Sequence, residues 1–172
     1  HMAGELASTG KGNLFVIFGE PDIDILDAGD GSDILQIRCD RLSITRGAEH
    51  IAALRLSPKG LARWYAACCT TPLGNTGPSP AYPFFGALTH GIADKDALGP
   101  VKARVNIPKG KTLPEGLPPT HGSTLGVFLS IGRIMFGGWL KGAQKRHPLF
   151  PGGAPLVEPR VISLEEKAAA HA

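Results

Sequence analysis

Arg63-Trp64-Tyr65-Ala66-Ala67-Cys68-Cys69-Thr70-Thr71-Pro72-Leu73-Gly74-Asn75-Thr76 carries more information than any other run in the chain. It holds two of the three cysteines, one of the two tryptophans and one of the two tyrosines. The first half reads as a short strand. Ala62, Trp64 and Ala66 fall on one side and Arg63 and Tyr65 on the other. The two small alanines leave room for a large ring, so Trp64 is predicted to be buried on the sheet side facing the C-terminal helix. A tight turn comes next, with Thr70-Thr71-Pro72 as a stop and Gly74-Asn75 as a turn. Adjacent cysteines on an extended segment point opposite ways. Without a kink in the chain, at most one of Cys68 and Cys69 is then expected in any one site. Their Cα atoms, about 3.8 Å apart, argue against a disulfide between them.

On the N-terminal side the pattern is that of strands and turns. Leu14-Phe15-Val16-Ile17-Phe18 is a continuous apolar run, and its periodicity leaves a buried strand and a single helical turn both open. Ile23 and Ile25 flank Asp24 as a brief strand, and residues 27–33 form an acidic turn. That turn lacks the closing glutamate of a calcium loop, which favours a solvated turn. Leu35, Ile37 and Cys39 alternate with polar neighbours, as do Leu42 and Ile44. Leu54 and Leu56 flank Arg55, with turns at Arg46-Gly47 and at residues 57–60. This order predicts a meander of antiparallel strands running into the central one.

On the C-terminal side, Phe84-Phe85-Gly86-Ala87-Leu88 predicts a strand ending near His90. Val101, Ala103 and Val105 alternate with Lys102 and Arg104, which predicts another. Residues 106–122 are rich in proline and glycine and read as a linker. Residues 123–141 differ: Leu125, Phe128, Leu129, Met135, Phe136 and Trp139 recur at helical spacing. That stripe is expected to lie on the sheet. Val127, Ile131 and Ile134 then need a second cover, from the proline-rich tail or from the same helix of a second chain. Gly126, Ser130 and Gly138 would let that cover come close. A membrane span needs roughly 20 apolar residues; this run is shorter and contains Arg133, which leaves a membrane-surface helix as the remaining membrane reading. Ser163 and Glu166 have the spacing of a capping box.

The chain's 172 residues suit one core. With 23 glycines and 15 prolines, turns between short strands are expected rather than a helical protein. A net charge of +3 with scattered Lys and Arg gives no nucleic-acid footprint. Three cysteines fit a reducing compartment better than a disulfide scaffold, and no signal-peptide pattern is present, so a cytoplasmic protein is expected. Ser43, Ser57, Ser79, Ser123 and Ser130 lack a nucleophile-elbow context. His90 at a strand end could serve as a general base, although such a histidine is more often structural. Gly29-x-Gly31 is too short for a dinucleotide fingerprint.

Cys69-Thr70-Thr71-Pro72-Leu73 resembles the second metal knuckle of the glutathione-dependent formaldehyde-activating enzyme family. There a Cys-x-x-Cys-Gly-Thr-Pro-Leu run closes a zinc site. Ala66 stands where the first cysteine of that knuckle is expected. Residues 33–76, with Arg46-Gly47-Ala48-Glu49 and Leu56-Ser57-Pro58-Lys59-Gly60, resemble an uncharacterised bacterial branch of that superfamily. So do Leu98-Gly99-Pro100-Val101-Lys102-Ala103-Arg104-Val105 and Pro159-Arg160-Val161-Ile162-Ser163. The resemblance implies stacked antiparallel sheets of the Mss4-like type and a zinc-dependent carbon–sulfur lyase ancestry. It also implies two earlier clusters, Cys-x-Cys-Gly and Cys-x-x-Cys, which this sequence lacks. His1 to Leu6 looks like the segment directly after the first cluster, and Asn13 and Leu14 look like the two sides of the second. The chain reads either as a variant that has lost its metal or as one whose ligand loops lie outside the sequence.

The expected architecture is therefore mainly β: a β domain over residues 1–105, a linker over 106–122, and a helix and extended tail over 123–172. Three function classes are open. The expected one is a binding or structural protein without lyase activity. The second is a zinc enzyme acting on a glutathione or other small thiol adduct, with Cys69, or Cys68, as metal ligand. The third is a membrane-surface-associated protein. A zinc site takes three or four Cys or His ligands, and the bland alternative makes Cys39 a core hydrophobe and Cys68 and Cys69 remnants of the knuckle. The expected partners are a second copy through residues 123–141 and a small thiol adduct, with a membrane surface as the lesser alternative.

Overall fold

The computed structural model describes residues 5–8 and 14–17 as backbone, and residues 32–92, 98–105, 112, 115–117, 119–163 and 165–166. Nine strands and one α-helix are assigned within them: β1 (Glu5–Ser8), β2 (Leu14–Ile17), β3 (Ile34–Arg38), β4 (Leu42–Arg46), β5 (Ile51–Arg55), β6 (Ala62–Ala66), β7 (Thr71–Thr76), β8 (Phe84–Leu88), α1 (Thr124–Leu140) and β9 (Arg160–Val161). The open run at Leu14 is thus a strand. Ile23, Ile25 and most of the acidic turn lie outside the described residues.

The strands form a three-stranded sheet in the order β2-β1-β4 and a six-stranded sheet in the order β3-β8-β7-β6-β5-β9. The meander expected of the strands leading into β6 is found only between β5 and β6: β3 pairs instead with β8 and β4 with β1, and the antiparallel meander runs from β5 to β8. β9 corrects a wholly antiparallel picture, because it runs parallel to β5 with Leu54 opposite Arg160. The short 3-10 turn Cys39–Arg41 passes the chain from one sheet to the other. Both sheets feed one core. Leu42 from β4 packs in the same cluster as Ile51, Trp64, Leu73, Phe85 and Ala87.

Alternation decides β6 as expected: Ala62, Trp64 and Ala66 are all buried. The Gly74-Asn75 turn expected from sequence is instead the interior of β7, which pairs with β6 on one side and β8 on the other. Pro72 is tolerated because the register shifts between Trp64 and Tyr65, opposite it. Such an irregularity is one of the few places a strand accepts a residue with no N–H. Gly74 is there for close packing, since a Cβ would stand 2.3 Å from the Gly86 carbonyl oxygen.

Val101 to Val105 form no strand. A backbone bond there runs from His121 N to the Val101 carbonyl at 2.8 Å. Trp64 is not turned toward the helix either. Its ring meets Phe150 edge-on at 5.9 Å, so the segment beyond the helix covers this face. Leu149 and Phe150 join the core cluster.

α1 starts where expected, with the Ser123 hydroxyl accepting from Gly126 N at 3.1 Å. Its orientation is the reverse of the expected one. Val127, Ile131, Ile134 and Met135 are half-buried and Gly138 is buried, whereas Leu125, Phe128, Leu129, Phe136 and Trp139 are exposed. The reason lies at Gly138, where a Cβ would meet Pro83 at 2.7 Å. The helix closes on the body at Gly138, and the aromatic stripe is carried outward. Trp139 is held at the rim by its indole N–H, which donates to the Ala81 carbonyl at 2.7 Å. The capping box is present: Glu166 N donates to Ser163 Oγ at 3.0 Å, and Ser163 N to Glu166 Oε2 at 2.8 Å. Among the described residues no helix is long and apolar enough to cross a membrane.

Candidate functional site

The turn joining β6 to β7 carries the reactive chemistry. Residues 67–70 reverse the chain within four residues, fixed by Ala67 N donating to the His50 carbonyl at 2.7 Å and Cys69 N to that of Ala66 at 3.3 Å. Thr70 closes the turn in the left-handed region at φ 55°, an uncommon state for a β-branched residue. Its hydroxyl donates to the Cys69 carbonyl at 2.7 Å.

This geometry overturns the expectation that Cys68 and Cys69 point apart. That expectation holds for extended chain, and these residues are in a turn. Their sulfurs are 3.7 Å apart, with the Cys68 thiol donating to Cys69 Sγ and no disulfide between them. Cys68 is exposed and Cys69 half-buried. Cys69 Sγ also lies 3.0 Å from Thr71 Oγ1, on the buried first residue of β7. Sequence reasoning missed Thr71, whose role depends on the turn bringing residue 71 back over residue 69.

The two thiols are unequal. Partial burial works against a Cys69 thiolate, but hydrogen bonds from the Thr71 hydroxyl and backbone, and from Cys68, outweigh it and hold its pKa below that of an ordinary thiol. Cys68, which donates to its neighbour, has its pKa raised. Cys39, the third cysteine, is buried in the turn between the sheets and donates to the Ala143 carbonyl at 3.4 Å. Burial and the neighbouring Asp40 push its pKa up to about 11, which makes it a core residue.

Two thiolates on one tetrahedral ion, each bound at about 2.3 Å, stand about 3.8 Å apart. The Cys68–Cys69 pair therefore has the spacing to share one soft ion. A zinc centre takes three or four protein ligands, and among the described residues no group of three His, Cys, Asp or Glu is placed to hold a metal. The residues described do not make up a zinc site. His90 sits in the 3-10 turn after β8, half-buried.

The chain matches no curated protein and no solved structure. A family model described as a family of unknown function (DUF6151) matches residues 13–160, and the chain belongs to that family.

Proposed function

We propose that this member of a family of unknown function is a cytoplasmic binding protein of the formaldehyde-activating-enzyme-like superfamily, without lyase activity, whose Cys68–Cys69 turn captures a thiol-seeking ligand. The observation that carries the reading is the 3.7 Å separation of two sulfurs in a partly exposed turn. The knuckle-like Cys69-Thr70-Thr71-Pro72-Leu73 run and the mainly β architecture support the superfamily assignment. Thr71 supports capture, since its hydroxyl favours the thiolate on Cys69, the form that binds soft ligands.

Titration of the native protein with phenylarsine oxide, a trivalent arsenical that bridges paired thiols, tests this reading. One equivalent should remove two titratable thiols and leave Cys39 intact, and Cys68→Ser should abolish tight binding. Stoichiometric zinc in the purified protein, lost in Cys69→Ser, would replace this reading with the zinc enzyme.

A further inference from the structure

The face that α1 turns away from the body is its most apolar one. Leu125, Phe128, Leu129, Phe136, Trp139 and Leu140 are 49 to 74% exposed. Together with Gly132 they occupy about 120° of the helix circumference, at about 100° per residue. They leave on the order of 700 Å² of side-chain surface uncovered. That exceeds the largest apolar patch of a typical monomer, about 300–600 Å². It approaches the roughly 800 Å² that each partner gives to a standard interface.

Gly132 stands at the centre of this face in both senses. It is the middle residue of Thr124–Leu140, and it lies between the flanking rows of large side chains. A Cβ there would meet nothing within 4 Å, so packing within the chain places no demand for glycine. Glycine in a helix interior nevertheless lowers stability relative to alanine.

We propose that this face is a homodimer interface in which two copies of α1 cross at Gly132. A two-fold axis brings the same residue of both chains to the crossing point, and a glycine there lets the two backbones approach closely. Phe128, Leu129, Phe136 and Trp139 then pack on either side of the waist. A second copy fits better than a charged partner, because Arg133 is the helix's sole charged residue and lies at the edge of the face. It also fits better than a lipid surface. Membrane-surface helices carry a strongly charged polar face, rich in Lys and Arg, whereas this helix turns Val127, Ile131, Ile134 and Gly138 to the body on its opposite side.

Sedimentation equilibrium of the full chain at micromolar concentration should give twice the 18.0 kDa of one chain. Phe136→Glu and Leu129→Glu, both at exposed positions, should each give monomer with an unchanged far-ultraviolet circular dichroism spectrum. Gly132→Cys should cross-link two chains on mild oxidation, and Lys145→Cys should not. The proposal is overturned by a monomer at high micromolar concentration, or by a dimer that survives both glutamate variants. A monomer that floats with phosphatidylserine-containing vesicles would also overturn it, assigning the face to the membrane instead.

Discussion

The indole N–H of Trp64 donates to the hydroxyl of Thr76 at 2.9 Å, across β6 and β7 and inside the core. The Thr76 hydroxyl passes the bond on to the Gly77 carbonyl at 3.0 Å. A large apolar ring and a buried polar group are thus satisfied together. Trp64→Ala should destabilise the fold by about 3–5 kcal/mol. Trp64→Phe should cost less, since the ring contact with Phe150 survives and Thr76 keeps its carbonyl partner. Urea unfolding of the two variants checks the order; equal losses would show that the hydrogen bond and not the ring dominates.

Gly74→Ala should be as damaging as a large core truncation. The added methyl group would collide with the Gly86 carbonyl and with the ring of Phe85 at 2.6 Å. β7 and β8 would have to separate, and overpacking of this kind costs about 1–3 kcal/mol or more. Thermal unfolding of the variant measures it, and an unchanged midpoint would mean the strands do not meet this closely.

The elements that depend on local pattern were legible. Ala62, Trp64 and Ala66 announce a half-buried strand, and Ser123 with the helical spacing after it announces α1. Features set by neighbours were not. Pro72 and Gly74 look like breakers until a register shift and a close strand crossing give each a place. Val101 to Val105 alternate like a strand, yet alternation alone does not choose a partner strand, and no strand is assigned there. The helix shows two apolar faces, and only the approach of Gly138 to Pro83 selects the inner one. Cys68 and Cys69 were assigned opposite directions by the strand rule, which fails in a four-residue turn.

His147 left no sign in the sequence, and it should make stability pH-dependent. It is buried beside Phe150, ring to ring at 4.8 Å, with Nδ1 accepting from Leu149 N at 3.3 Å. Burial pushes its pKa down to about 4, although the Phe84 backbone favours the charged form. Above the ordinary value of 6.5 the imidazole is neutral in both states. As the pH falls from there toward about 4, the unfolded chain takes up a proton that the folded chain refuses. Stability should therefore drop by about 2 kcal/mol near pH 5 and by about 3 kcal/mol in full. Urea midpoints at neutral and mildly acid pH test this, and His147→Gln should flatten the dependence.

Asp40 ties the C-terminal segment to the sheets. Its carboxylate accepts from Arg38 and, at 3.1 Å, from Arg146. Burial alone would raise its pKa, but the hydrogen bonds from Arg38 and Arg146 outweigh it and lower the value. The stabilisation is present above the ordinary carboxylate range and is lost as pH falls through the lowered value. Asp40→Asn should cost about 1–3 kcal/mol. Hydrogen exchange should quicken around residues 143–146 more than in β6 and β7; uniform acceleration would contradict the local tie.

The central claim is that Cys68 and Cys69 act as one site, and site-resolved alkylation against pH tests it most directly. Native protein is treated briefly with iodoacetamide across a pH series, and the label on each cysteine is read by mass spectrometry. Cys69 should react with a midpoint below that of an ordinary thiol and Cys68 with one above it, and Thr71→Val should bring the Cys69 midpoint up. Two thiols titrating independently at the ordinary value, unmoved by Thr71→Val, would contradict the account.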